Sequence, residues 1–150
     1  MSTFANLNDL RASVGVELGP SRCIEVTQER IDGFARYTED HQWIHTDPYR
    51  ARSGPFGSTI AHGYLTLSLI APFLTELLQV DGISAAVNYG LNKVRFPAVL
   101  PSGTHVLATG RIDSVEDILG GVQTATTITI ETAAGDRPVC VAEVLSRLLT

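Results

Sequence analysis

The chain has 150 residues, 44% of them hydrophobic and 18% charged, with a formal net charge of −5. That length fits one domain over residues 1–150 with room for a real core, and the acidic balance excludes a global basic field that would draw the protein to nucleic acid or to anionic lipid. Cys23 and Cys140 stand apart without Cys-x-x-Cys spacing. Both are read as reduced core thiols of a reducing compartment, with a disulfide between them as the lesser alternative.

The opening Met1-Ser2-Thr3-Phe4-Ala5-Asn6 has no basic region followed by an apolar run, so no signal peptide is expected. From Gly15 to Val26, with Gly19-Pro20 in the middle, an extended arm or short strand pair is expected. Thr27 reads as an N-cap, and Ile31, Phe34, Ala35 and Thr38 fall at helical spacing, which predicts a helix over Gln28 to Thr38 with one buried stripe. The Asp40–His45 stretch then reads as a loop, and Asp47-Pro48 opens a short helical turn. Ser53-Gly54-Pro55-Phe56-Gly57 is a loop by composition.

From Gly63 to Gln79 the sequence predicts a long helix, apolar nearly all round and therefore buried on most sides. Pro72 removes a backbone bond to Ser68 and predicts a kink there. Thr66, Ser68, Pro72, Thr75, Glu76 and Gln79 interrupt this segment too often for a membrane span, and a cytoplasmic protein is expected. Strands follow at Ala85 to Phe96, Thr104 to Ser114, Val122 to Thr132 and Pro138 to Leu149. Turns at Pro101-Ser102-Gly103, Gly120-Gly121 and Ala134-Gly135-Asp136 separate them. The last three strands predict an antiparallel meander. A sheet with one face to cover and a helix that needs covering predict an α+β fold in which the sheet wraps the helix. Edge-to-edge pairing in a dimer would remove an exposed strand edge.

The chemistry concentrates in Tyr37-Thr38-Glu39-Asp40-His41-Gln42-Trp43-Ile44-His45-Thr46-Asp47-Pro48. An Asp and a His brought together polarise a water, the core of general acid–base catalysis. Thr59-Ile60-Ala61-His62-Gly63-Tyr64 opens the apolar helix. There the backbone N–H of Gly63 is an orphan donor for a developing oxyanion, and the missing side chain lets a carbonyl approach. The bland readings are that Asp40 caps the turn at Pro48, that His45 is a satisfied buried histidine and that Trp43 and Tyr37 pack in the core. Asp40, His41, His45 and Asp47 are not read as a metal site, because no Glu follows His41 and no Cys is near. His105 carries no signal, and no Rossmann glycine pattern suggests a dinucleotide.

These blocks resemble the MaoC-like dehydratases, the (R)-specific enoyl-CoA hydratase group of the hot-dog fold. That family's aromatic, spacer, Gly-Asp-x-Asn-Pro-aliphatic-His and later small residue stand here as Tyr37, Glu39-Asp40-His41-Gln42-Trp43-Ile44-His45 and Ala51. Its apolar-His-Gly block stands as Ile60-Ala61-His62-Gly63. A third block is Asn88-Tyr89-Gly90-Leu91-Asn92-Lys93-Val94-Arg95-Phe96-Pro97, followed by Pro101-Ser102-Gly103. The resemblance covers nearly the whole chain and is strongest to the nodulation-protein-N-like branch. Gln42, Trp43 and Glu39 depart from the usual Asn, Pro and Gly.

The resemblance implies reversible hydration of a trans-2-enoyl-CoA to an (R)-3-hydroxyacyl-CoA by a homodimer, with no cofactor beyond the coenzyme A of the substrate. Asp40 and His45 would hold and activate the water, and Gly63 would bind the thioester oxygen. Gln42 would replace the family's Asn at the water. His62 is read as structural first and as substrate-binding second. Lys93 and Arg95 are read either as contacts to the phosphates of coenzyme A or as a solvated strand face. The alternatives are a hot-dog thioesterase and a non-catalytic acyl-thioester binding protein.

Overall fold

A computed structural model of the chain describes residues 2–135 and 137–150; Asp136 of the expected last turn and Met1 of the opening segment lie outside the described residues. The chain begins with β1 (Ser2–Phe4), α1 (Leu7–Arg11), β2 (Glu17–Leu18) and β3 (Ile24–Val26). The helix α2 (Gln28–Thr38) follows. The Thr27 hydroxyl caps it by accepting from the N–H of Arg30 at 3.2 Å. Ile31 and Ala35 are buried, whereas Thr38 is exposed and turns its hydroxyl back to the Phe34 carbonyl. Next come α3 (Trp43–Thr46) and α4 (Pro48–Ala51), then α5 (Gly63–Ser68), α6 (Ile70–Leu77) and β4 (Leu78–Val80). The long strands are β5 (Ala85–Arg95), β6 (Thr104–Ile118), β7 (Gly121–Thr132) and β8 (Cys140–Leu149).

The large sheet runs β2-β6-β7-β8-β5, with β3 beside β2 on the edge of β6. All its pairings are antiparallel, and β6, β7 and β8 form the expected meander. β7 and β8 alternate buried and half-buried residues. Their buried faces and that of β6 meet Phe73 and Leu77 of α6, both fully buried, in one core. Burying a side chain of that size contributes roughly 1.5–3 kcal/mol, so each of these two residues is a substantial contributor to the helix–sheet contact. A separate parallel pair, β1 with β4, ties the N-terminus to the end of α6.

Three expectations need correction. The single helix from Gly63 to Gln79 is two helices broken at Leu69, and Gln79 lies in a strand. Pro72 supplies the cause, since it offers no N–H to the Ser68 carbonyl. This helical layer is not buried on most sides, because Tyr64, Ser68, Ala71, Pro72 and Thr75 are exposed along it. Cys23 is exposed; only Cys140 is a core thiol, and both are free.

The strand β5 is exposed along nearly its whole length, including Val87, Tyr89 and Leu91. It pairs on one side only, with β8, and carries two register shifts, between Asn88 and Gly90 and between Leu91 and Lys93.

Candidate active site

The site forms where three segments meet: the turn after α2, the four-residue α3 and the entrance to α5. Glu39 ends α2 in the left-handed region, at φ 63°. This reversal turns the chain sharply and presents Asp40 next to the start of α5. Asp40 does not cap the turn at Pro48. That role belongs to Asp47, whose carboxylate accepts from the Arg50 N–H at 2.9 Å. The Asp40 side chain is half exposed, with its Oδ2 4.0 Å from Nε2 of His62.

His45 lies in a helix, not in the expected loop. Its backbone N–H bonds the Gln42 carbonyl at 2.9 Å, and the Ile44 carbonyl accepts from the Ile60 N–H at 3.0 Å. The ring is buried, 7% exposed, and sits 2.7 Å from the Ile60 carbonyl through Nδ1. A carbonyl only accepts, so Nδ1 carries the proton and Nε2 keeps its lone pair. Burial holds the pKa of His45 below its ordinary 6.5. The Ile60 carbonyl and Asp40 oppose that shift, and His62 adds to it. His45 is therefore a neutral imidazole at neutral pH with a free basic nitrogen.

His62 is 2% exposed, and its Nε2–H donates to the backbone carbonyl of Asp40 at 3.0 Å. Its ring stacks on His45, with centroids 3.8 Å apart, and meets Phe34 at 4.9 Å. Nδ1 of His62 is buried without a partner among the described residues. His62 thus fixes the Asp40 backbone and backs the His45 ring. Donor atoms of Asp40, His45 and His62 lie within 4.8 Å of one another, a spacing compatible with a cation. The Nε2–H of His62 is engaged by the Asp40 backbone carbonyl, so the lone pair of His62 lies on its partnerless Nδ1.

A cavity of about 240 Å³ borders His45, Ile60, Ala61, Gly63, Thr66 and Phe96. Its wall is apolar apart from His45 and Thr66. Gly63 is the first residue of α5, and its N–H has no helical partner. Because α5 is only six residues long, this one N–H matters more than any helix dipole. The Phe96 ring lies against it: a Cβ built on Gly63 would sit 3.1 Å from that ring.

The structure brings Asp40, His45, His62 and Gly63 together. Of these, His45 and Gly63 line the cavity and Asp40 and His62 do not; Gln42, Lys93 and Arg95 are also absent from its wall. Gln42 is exposed at the start of α3, where its side chain caps nothing. Lys93 and Arg95 stand opposite Glu143 and Val141. Those residues alternate with buried Ala142 and Val144, which puts them on the sheet face away from the helices. Tyr37, expected in the core, is 85% exposed. Trp43 lies against Gly54 and under the Arg50 guanidinium, 4.3 Å from the ring centroid. It braces the loop after α4.

Sequence reasoning missed two residues. Phe96 was marked as the end of a strand, though its place two residues after inward-facing Val94 could have flagged it. Gln28 stands in the sequence only as the first residue of the expected helix, and no local signal distinguishes it. Its side chain reaches the His45 carbonyl at 2.7 Å.

Comparison with known proteins gives the following. The family model described as "MaoC like domain" matches residues 9–134. The 3-hydroxyacyl-thioester dehydratase Z of Mycobacterium tuberculosis (strain ATCC 25618 / H37Rv) is 47% identical over 148 residues, 98% of each chain. Nodulation protein N of Rhizobium leguminosarum bv. viciae is 44% identical over 103 residues, 67% of this chain and 64% of that protein. Among solved structures, the (R)-hydratase from A. caviae involved in PHA biosynthesis superposes with a TM-score of 0.75 at 23% identity, covering 90% of this chain and 96% of that one. The fold is therefore the hot-dog fold. No helix among the described residues is long and apolar enough to cross a membrane.

Proposed function

The chain belongs to the MaoC-like domain family, and from that membership we propose that it is a hydro-lyase that reversibly adds water across a trans-2-enoyl thioester to give an (R)-3-hydroxyacyl thioester. The observation that carries this reading is the state of His45. Its Nδ1–H is tied to the Ile60 carbonyl, its basic Nε2 has no hydrogen-bond partner among the described residues, its ring lines an apolar cavity, and the Asp40 carboxylate lies within 4.8 Å of it. Such a pair needs only a water and an electron-poor alkene to become an acid–base catalyst. The 3-hydroxyacyl-thioester dehydratase activity named for the 47%-identical relative supports a thioester as the substrate.

In this mechanism a water lies between His45 Nε2 and the Asp40 carboxylate. Nε2 takes a proton as the water oxygen bonds C3 of the enoyl group. The alkene electrons move toward the thioester, and the oxygen that gains charge is met by the Gly63 N–H. Protonation at C2 completes the addition, with the Asp40 and His45 pair as the local proton store. Each acid–base group of this kind contributes roughly 10²–10⁴-fold, and one backbone donor to the oxyanion about 3 kcal/mol.

We also propose a homodimer joined along β5. The free edge of β5 and the exposed Val87, Tyr89 and Leu91 lie next to the exposed side of α5 and α6, as an interface between copies requires. The substrate is proposed to be an acyl-CoA, with acyl-carrier-protein thioesters as the rival carrier.

The test is a spectrophotometric hydration assay on crotonyl-CoA, with an (R)-specific dehydrogenase coupled to the product. Loss of the enoyl absorbance with (R) product supports the reading. Release of free thiol would instead make this a thioesterase, and binding without turnover would make it an acyl-thioester binding protein.

A further inference from the structure

We infer that Gln28, at the start of α2, is a positioning residue that aims the base His45 from outside the cavity; the inference rests on the hydration reading above. The Gln28 amide nitrogen donates to the His45 carbonyl at 2.7 Å and to the Asp32 carboxylate at 2.8 Å. Its oxygen accepts from the hydroxyl of Thr59. Those partners fix which way the amide points, because the flipped amide would set its oxygen against a carbonyl and a carboxylate.

The bonds reach 17 and 31 residues along the chain and converge on the two segments that hold the base. Thr59 is buried. The next residue, Ile60, supplies the carbonyl that accepts the Nδ1–H of His45, and its own N–H returns to Ile44. The hydrogen bonds therefore close a ring: Gln28 to Thr59, along the chain to Ile60, through the imidazole to the His45 backbone, and back to Gln28. His45 is held by its ring at one point and by its carbonyl at another, both referred to the same short segment. The direction of Nε2 follows from that ring. Gln28 does not line the cavity and touches no reacting atom. It acts only through the distance between α3 and residues 59–60. A displacement of about 1 Å in a catalytic group costs on the order of 100-fold in rate, and α3 is only four residues long, with the Gln28 bond to its His45 carbonyl beside the Ile60 N–H bond to its Ile44 carbonyl.

The test combines tautomer and rate. In the wild-type protein, ¹⁵N–¹H correlation spectra should show His45 as one tautomer, protonated at Nδ1. In Gln28→Ala that signal should average toward the other tautomer. For crotonyl-CoA, kcat should fall about 10- to 100-fold with KM little changed. The acid limb of the kcat profile should move to lower pH, since the Ile60 carbonyl that favours the protonated ring is then held less well. Thr59→Val should reproduce these changes, Thr59→Ser should keep wild-type values, and the double variant should be no worse than either single one. Gln28→Glu, which keeps the volume and puts an oxygen against the His45 carbonyl, serves if the alanine variant fails to fold. A folded Gln28→Ala protein with the wild-type tautomer, kcat and pH profile would overturn the inference. A wild-type protein that does not hydrate crotonyl-CoA, but whose His45 tautomer still depends on Gln28, would overturn the hydration reading and leave the clamp standing.

Discussion

The imidazoles of His45 and His62 are stacked, with centroids 3.8 Å apart and planes 25° from parallel. Two rings that close and that buried disfavour a positive charge on His45. The base is therefore kept neutral by its surroundings, chiefly by burial, with His62 adding to the effect.

A pH dependence follows. The proposed mechanism needs His45 unprotonated, so kcat should hold as pH falls to 6.5 and drop at lower pH. The stability effect has the same origin. The unfolded histidine binds its proton at a higher pH than the folded one, so the unfolded state gains protons first as pH falls. The His45 contribution is complete above 6.5 and is lost as pH falls from there through the folded pKa. Rate–pH profiles and urea melts across that range check both parts.

Replacing Asp40 with Asn keeps shape and removes charge. Turnover of crotonyl-CoA should fall roughly 10²–10⁴-fold, while acyl-CoA affinity stays within a few-fold. Because the carboxylate is half exposed and its backbone carbonyl is what His62 holds, the melting temperature should barely change. A steady-state assay beside a thermal melt separates these effects.

Gly63→Ala places a methyl group 3.1 Å from the Phe96 ring, tighter than an ordinary contact. The ring must shift, and the methyl crowds the N–H proposed to meet the thioester oxygen. A loss of about 2–3 kcal/mol of transition-state stabilisation is expected. The Phe96→Ala change in the same chain should recover part of it by giving the methyl room. Parallel kcat/KM measurements on the two proteins decide the point.

Glu39 occupies the left-handed region, at φ 63°, where the family motif has Gly. That conformation costs a side-chain-bearing residue roughly 1–2 kcal/mol, and Gly loses roughly 0.5–1 kcal/mol of chain entropy in exchange. Glu39→Gly should therefore stabilise the protein by about 0.5–1 kcal/mol without changing kcat. Chemical denaturation of the two proteins measures the difference.

The cysteines should separate in reactivity. Cys23 is exposed, whereas burial pushes the Cys140 thiol up to about 11. A thiolate-seeking reagent should label one thiol in the native protein and two after denaturation. Two labelled native thiols would contradict the burial of Cys140.

The elements that were legible in the sequence are those whose signals are local. Thr27 and the spacing of Ile31 and Ala35 mark α2 at both ends, and the alternation along Val122 to Thr132 and Cys140 to Leu149 marks the meander. Pro72 announced the break in the central helix. The helix α3 was not legible, because what holds it comes from Ile60 and Gln28, distant in the chain. β1 is a strand only because β4 lies beside it. Within the site, Asp40, His45, His62 and Gly63 could be picked out by residue type and motif. Lys93 and Arg95 could be named but not oriented, since bulges in β5 reset which face each residue takes.

Those two bulges also bear on behaviour at high concentration. A strand of this length and apolarity with one edge left open is a template on which chains can stack without limit. Each register shift bends and twists β5, so a flat strand cannot hydrogen-bond along it, whereas a strand with the same two irregularities can. In the proposed dimer the irregular edge pairs with its own copy, and concentrated solutions should then hold closed assemblies instead of growing fibres.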